Sequence, residues 1–437
     1  MNASGHDLRE TINKEAMSRF QVVAVAICVT LNMLDGFDVL VMAFTASEVS
    51  AHWSLSGKEL GLLLSAGLFG MAAGSLFVAP WGDRFGRRAI TLFCLSLITL
   101  GMFLSALSQS AVQLFALRIL TGLGIGGMLA SINVITAEYS SDKWRSTAIS
   151  IQATGYPIGA TIGGTIAAVL IAYYGWRSVF LFGAVVSAAM IPVVILRLPE
   201  SLDFLLAKQP ANALEKLNAL LTRMQRGAVT RLPDPPAAVR SSGPGLLRGI
   251  LSTPLTGSTV CIWTSFFLVM FSFYFVLSWT PKLLVAAGLS TQQGITGGVL
   301  LNVGGIVGGT VFGLLAAKFN LKRLEFLYLV AAAGFIALFG GFAADLAFAF
   351  VIAIAIGIFL FGSMVGLYAI TPILYPAGIR TTGMGWAIGM GRIGAILAPL
   401  IAGLLVDAGW ETPHLYYAFA VPMAIAVLSV RALPLQR

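Results

Sequence analysis

The chain has 437 residues, 58% of them hydrophobic and only 10% charged, with a mean hydropathy of +0.90. Soluble domains carry about 25% charged residues, so this composition excludes a water-soluble protein and predicts an integral membrane protein. The net charge of +9 invites a nucleic-acid partner, but its placement excludes one: with both termini on one side, Lys58, Arg177 and Lys282 are the only basic residues in loops on the other. That asymmetry is the positive-inside pattern, which puts both termini in the cytoplasm and makes anionic lipid the neighbour of the basic face.

In chain order, residues 1–19 are a polar cytoplasmic tail, and the apolar run that follows lacks a cleavage site, so it reads as a retained helix rather than a signal peptide. Apolar runs of about 20 residues, long enough to cross a hydrocarbon core, fall at 20–43, 59–80, 89–108, 112–137, 146–172 and 178–197. A polar cytoplasmic linker spans 198–256, within which Asn212 to Met224 has the leucine spacing of an amphipathic helix lying on the membrane surface. Six more runs follow at 257–280, 292–316, 323–342, 346–372, 381–406 and 414–433, and 434–437 is a second cytoplasmic tail. Long, continuous, Leu/Ala/Gly-rich runs predict helices rather than barrel strands. The expected fold is an all-α membrane protein of twelve transmembrane helices, in an N-terminal half (20–197) and a C-terminal half (257–433).

The halves read as repeats. Arg145-Ser-Thr-Ala before the fifth span matches Arg380-Thr-Thr-Gly before the eleventh, and Arg84-Phe-Gly-Arg-Arg88 has a decayed copy at Lys318 to Arg323. Duplicated six-helix halves around a midplane site are a transporter architecture. What the halves do not share is informative. Asp35 and Asp38 in the first span have no counterpart in the seventh, and the position matching Arg392 is Pro157. Charges inside the hydrocarbon are costly and are functional by default. Two arginines, Arg118 and Arg392, suggest an anion that crosses, and the two acids suggest a proton that drives it.

Gly82-Asp83-Arg84-Phe85-Gly86-Arg87-Arg88, Arg118-Ile-Leu-Thr-Gly-Leu-Gly124-Ile-Gly126 and Leu198-Pro-Glu-Ser201 resemble the motifs of the major facilitator superfamily. Leu34-Asp35-Gly36-Phe37-Asp38 and the stretch Gly389 to Ile396 resemble its aromatic acid:proton symporter family, whose members import 4-hydroxybenzoate, protocatechuate and related acids. The resemblance implies import of a small aromatic carboxylic acid with protons across a bacterial inner membrane, with Asp35 and Asp38 essential for transport. It also implies gating at the cytoplasmic face by Gly82, Asp83, Arg84, Gly86, Arg87, Arg88, Glu138 and Arg145, with Arg380 as the counterpart of Arg145.

Asp35 and Asp38 lie on nearly one helix face. Arg118 sits about 9 Å below the outer end of its span, at a depth like that of Asp35, which suggests an Asp35 and Arg118 pair as the coupling element. Arg392 lies about 16 Å from the inner face, near midplane, where a guanidinium can take a carboxylate through two parallel hydrogen bonds. Substrate contacts are therefore expected from Arg118 and Arg392, with Phe37, Tyr156, Tyr368 and Trp386 stacking on a ring; Tyr274 and Trp279 are further aromatic candidates. Asp83 is expected at the start of a neighbouring helix, where the dipole favours negative charge. The coupling ion is the proton, with no other cofactor. The partners are the organic anion and membrane lipid, and the chain is expected to be monomeric. The alternatives are an exchanger or exporter of organic anions and a membrane sensor. An embedded enzyme is excluded by the lack of a Ser/His/Asp set, metal-ligand spacing or phosphate loop.

Overall fold

Each apolar run becomes one helix in the computed structural model, which describes residues 16–232, 250–251, 255–343, 345–376 and 379–434. The start of the N-terminal tail with His6, the middle of the linker and residues 435–437 lie outside the described residues. The helices are α1 (Arg19–Trp53), α2 (Gly57–Val78), α3 (Arg87–Ala106), α4 (Ala111–Glu138), α5 (Asp142–Tyr174), α6 (Arg177–Arg197), α7 (Thr256–Ala286), α8 (Thr291–Ala316), α9 (Leu321–Phe342), α10 (Leu346–Leu374), α11 (Arg380–Asp407) and α12 (Thr412–Ala432).

Hydropathy registers only the part of a helix inside hydrocarbon, and several helices continue beyond it. α1 runs for 35 residues, about 52 Å, from a Ser18/Gln21 capping box to Ser54, whose left-handed backbone (φ 50°) ends it. His52 and His414 lie in terminal turns of α1 and α12.

Glycines set the packing, and the same contacts are built twice. Between α2 and α4, a Cβ on Gly70 or Gly74 would stand 2.3 Å from the Ile119 carbonyl oxygen or 2.2 Å from that of Leu123. Between α8 and α10, Gly304 and Gly308 meet the carbonyls of Ile354 and Ile358 at 2.1 and 2.0 Å. Likewise Gly159 of α5 abuts the Met33 carbonyl of α1 at 1.8 Å, and Gly394 of α11 abuts that of Phe267 on α7 at 2.3 Å. With α3 against α6 and α9 against α12, the fold is two pseudo-symmetric six-helix halves. Backbone approach this close is the membrane substitute for a hydrophobic drive between helices.

A side chain at such a position has nowhere to go. Gly159→Ala is expected to lower the melting temperature in detergent, with a cost at or above the upper end of the ~1–3 kcal/mol typical of overpacking. Gly385→Ala, where a Cβ would meet nothing within 4 Å, should hold or raise it.

The halves meet through α2 with α11, α5 with α8 and α1 with α7, and the contact is uneven. Cross-half hydrogen bonds join Gly57 and Lys58 to Asp407, Ser65 to Ile396 and Thr291 to Glu48, all toward the face opposite the linker. Toward the basic face, where α1 begins and the linker lies, Trp386 of α11 is 45% exposed. The hydrogen-bonded contact between the halves lies at the face opposite the linker.

The linker corrects one expectation. A helix does form at Ala213–Arg223, but Leu217, Leu220 and Leu221 are buried in the protein, beside a short helix at Leu202–Lys208 whose Leu202, Leu205 and Leu206 are buried too. Asn218 exchanges two hydrogen bonds with the Val229 backbone to fold the segment back. The apolar face is covered by protein, which leaves none to lie on lipid.

Candidate functional site

Gly36 explains why two acids can sit mid-helix in α1. A Cβ there would fall 2.0 Å from the Tyr156 carbonyl oxygen, so α1 and α5 touch through backbone, and the acids on either side of Gly36 lie inside the bundle. Asp35 is 2% exposed and Asp38 1%. None of their four carboxyl oxygens has a hydrogen-bond partner among the described residues. An unpartnered buried carboxyl is expensive when ionised, and a group with access to protons meets that cost by binding one.

The expected Asp35 and Arg118 pair is not formed. Arg118 is 1% exposed, inside the first half. Its guanidinium donates to the main-chain carbonyl of Asp38 and to Met102 Sδ at 3.3 Å, and lies 6.0 Å from the Phe180 ring centroid. Asp38 is the acid whose charge acts on it. Helical geometry accounts for the exchange: a three-residue step along α1 moves about 4.5 Å along the axis and about 60° around it, which turns Asp38 toward α4 and α6, with Oδ1 3.6 Å from where a Gly183 Cβ would stand. Enclosed by α1, α3 and α6, Arg118 is also not placed to touch a substrate in this conformer. Phe37 is likewise corrected. It is 4% exposed, edge-on to Phe182 at 5.8 Å and pressed on Gly163 and Gly183, so it packs α1 against α5 and α6.

The other substrate candidates converge. Arg392 of α11 and Tyr274 of α7 each lie within electrostatic reach of both Tyr156 of α5 and Tyr368 of α10, and Asp35 within reach of Tyr156. Arg392 is half-buried, and its Nη1 and the Tyr156 hydroxyl are buried without a partner. Tyr368 is 36% exposed, edge-on to Phe266 at 5.5 Å. Trp386 stacks on Trp263 at 5.7 Å, one to two turns nearer the basic face than Arg392. Trp279, by contrast, is 1% exposed and donates to the Pro399 carbonyl, which makes it a tie between α7 and α11. Both halves thus contribute to one centre: a guanidinium, three phenols and a carboxyl.

At the basic face the expected gating residues divide into separate groups. Asp83 pairs with Arg87 across the turn and is in the first turn of its own short helix, Trp81–Phe85, rather than at a neighbour's start. Arg84 lies over the Phe85 ring at 5.3 Å. The anion at the start of α3 is Glu200, which accepts from the Arg88 amide at 3.0 Å. It also fixes Gly86, whose φ is +102° and whose Cβ would fall 2.5 Å from Glu200 Oε2. The Arg88 guanidinium donates to the Ile195 carbonyl. Gly82 is buried under Arg87 and Ser131.

Glu138 takes the Ser201 hydroxyl at 2.9 Å and the Leu202 amide at 2.8 Å, capping the Leu202–Lys208 helix. Tyr139 donates to the Glu200 carbonyl; burial, reinforced by Glu138 and Glu200, pushes its phenol well above the usual range and keeps it a donor. Arg145 pairs with Asp142 at 2.9 Å and donates to the Ala137 carbonyl. Arg380 is exposed at the start of α11. The sequence reading did not assign Glu200 and Ser201 a site role; the signal was their place in the Leu-Pro-Glu-Ser motif, whose use as a cap is visible only where the start of α3 meets the ends of α4 and α6.

One buried carboxyl stands apart. Glu325 of α9 is fully buried, with neither oxygen partnered, and Gly366 of α10 makes room for it: a Cβ there would fall 1.8 Å from Oε2. Since no cation among the described residues pairs with it, the uncharged isostere in Glu325→Gln is expected to leave melting temperature and uptake within error of wild type, whereas Gly366→Ala should cost ~1–3 kcal/mol of stability.

Comparison with known proteins agrees with this architecture. The Major Facilitator Superfamily pattern matches residues 25–370. The chain is 31% identical to the gallate transporter of Pseudomonas putida, over 98% of this chain and 94% of that one. It is 28% identical to the 4-hydroxybenzoate transporter PcaK of Pseudomonas aeruginosa, over 97% and 95%. Its fold is similar to the crystal structure of a D-xylose-proton symporter, with a TM-score of 0.74 at 16% identity over 94% of this chain and 97% of that one.

Proposed function

Because this chain belongs to the Major Facilitator Superfamily, a family of transporters, we propose that it imports a small aromatic carboxylic acid together with protons, by alternating access, across a bacterial inner membrane. The observation that carries the reading is the central site: an incompletely partnered guanidinium among phenols on one side, and unpartnered buried carboxyls on the other. The names of the relatives, gallate and 4-hydroxybenzoate transporters, support the substrate class.

The basic face is cytoplasmic in this reading, and the conformer is the inward-open one. In the outward-open state Asp35 and Asp38 each take a proton, which removes the negative charge that would repel a carboxylate. Arg392 then binds the substrate carboxylate through paired hydrogen bonds, and Tyr156, Tyr274 and Tyr368 offer ring faces and hydroxyls to the aromatic part. The halves rock about the site. Opening to the cytoplasm releases the acid past Trp386, and the carboxyls return their protons to water. Arg118 senses the state of Asp38 rather than Asp35, since it already holds the Asp38 main chain. Glu138, Arg145, Asp83, Arg84, Arg88 and Arg380 bias the cytoplasmic ends between open and shut, and substrate promotes closure only so far as it binds the closed state better.

Proteoliposomes with an imposed inward proton gradient test this. Labelled gallate, 4-hydroxybenzoate, protocatechuate and benzoate are offered in turn, with xylose as a neutral control. Gradient-dependent accumulation of one or more of the acids is expected. Uptake of acids that ignores the gradient and needs a trans acid would establish an exchanger instead, and no acid uptake would end the proposal.

A further inference from the structure

α2 begins at the face opposite the linker with four N–H groups that its own helix cannot satisfy. Two are met locally by the capping box: the Ser56 amide donates to Glu59 Oε2 at 2.9 Å, and the Glu59 amide to Ser56 Oγ at 3.2 Å. The other two cross to the second half. The Gly57 amide donates to Asp407 Oδ1 at 2.6 Å and the Lys58 amide to Asp407 Oδ2 at 2.8 Å. Asp407 is the last residue of α11, so one carboxylate bridges the helices that seal this face.

α8 provides an internal control. It is the repeat of α2 and starts with the same box, Ser290 with Gln293. The Thr291 and Gln292 amides, in the places of Gly57 and Lys58, have no acceptor among the described residues; only the Thr291 hydroxyl reaches across, to Glu48 at 3.2 Å. A helix start of this design therefore stands without a carboxylate on its first two amides, and the Asp407 contact is an addition rather than a requirement of the cap. It is reinforced where the two backbones meet: a Cβ on Gly403 would fall 2.2 Å from the Gly57 carbonyl, and one on Gly57 2.5 Å from that of Gly403.

We propose that Asp407 is a latch of the transport cycle, a carboxylate of the second half that holds the first two amides of α2 while the outer face is closed and releases them when it opens. α2 and α11 cannot part at this face without breaking both bonds, whereas no bond inside either half depends on them. The latch rests on alternating access and is independent of which solute is carried and of what drives it.

The test reads the distance between the halves, with no substrate and no gradient. Spin labels are placed at exposed Gln109→Cys and Glu411→Cys for the outer face, and at exposed Lys143→Cys and Lys318→Cys for the basic face. The background is Cys261→Ser, since Cys28 and Cys94 are buried. Losing a helix cap changes a population ratio by about five-fold. Asp407→Ala is thus expected to raise the outer-open share of the double electron-electron resonance distribution about five-fold and to shorten the basic-face distance in step. Asp407→Asn, which keeps one acceptor oxygen, should fall between and serves if the alanine variant does not fold. Unchanged distance distributions, with or without a fall in melting temperature, would overturn the latch and make Asp407 a static cap. Acid uptake measured separately would still stand or fall on its own.

Discussion

Arg392→Ala is expected to reduce concentrative uptake of the aromatic acid to background, with apparent affinity weakened by about 100-fold. The residue is half-buried near midplane with Nη1 unpartnered, so a carboxylate arriving there completes a hydrogen-bonding group that the protein leaves incomplete. Truncating one side of a desolvated, hydrogen-bonded charge pair costs roughly 2–5 kcal/mol, about 30-fold to several thousand-fold in affinity; partial exposure puts Arg392 toward the lower part of that range. Arg392→Lys discriminates geometry from charge, because a point charge attracts the carboxylate but cannot fork onto both oxygens. It should recover part of the affinity and lose discrimination among acids of different shape. Equilibrium binding of labelled acid to the detergent-purified protein checks this directly, and wild-type affinity in Arg392→Ala would remove the residue from the site.

The second large effect separates coupling from carriage. Asp38→Asn fixes the uncharged form of the acid nearest Arg118 without changing its size. A one-unit pH gradient is worth ~1.4 kcal/mol per proton, enough for about tenfold accumulation. Wild-type proteoliposomes should approach that ratio for each proton carried, whereas Asp38→Asn should lose at least one such tenfold factor. Counterflow of labelled against unlabelled acid, which needs only the loaded carrier, should persist in the variant. Asp35→Asn is expected to lose accumulation in the same way. Because Asp35 lies close to Tyr156, it should also change substrate affinity, a difference that assigns the two acids to distinct tasks. Accumulation that survives both substitutions would place the driving proton elsewhere, Glu325 being a further buried unpartnered carboxyl among the described residues of the spans.

Where sequence reasoning succeeded, it rested on what each residue does to its own surroundings. Helix number follows from unbroken apolar length, and the repeat follows from paired motifs, so the twelve helices and their two halves were legible. What failed was pairwise. Depth along two helices put Asp35 level with Arg118, but only the rotation of α1, set by the Gly36 contact with the Tyr156 carbonyl, decides which acid faces it. Phe37 has the composition of a ring-stacking residue and the location of a wedge between α5 and α6. The leucine face of Ala213–Arg223 was correctly read as apolar, yet amphipathicity reports that a face needs cover, not whether lipid or protein supplies it. Asp407, at the hydrophilic end of its span, gave no signal; its partners are amides some 350 residues away, and amides carry no mark in a sequence.

The two acids and Arg118 all belong to the first half, and Arg392, Tyr274 and Tyr368 to the second. In the proposed mechanism the energy supply is written on the first half alone, whereas cargo recognition draws on both, since Tyr156 of α5 faces the same centre. Under that mechanism a lineage can change what it feeds on by altering α7, α10 and α11 while the acids of α1 stay as they were. Chimeras that join the first half of this chain to the second half of a relative are then expected to keep this chain's ion and to shift toward the relative's diet in uptake assays.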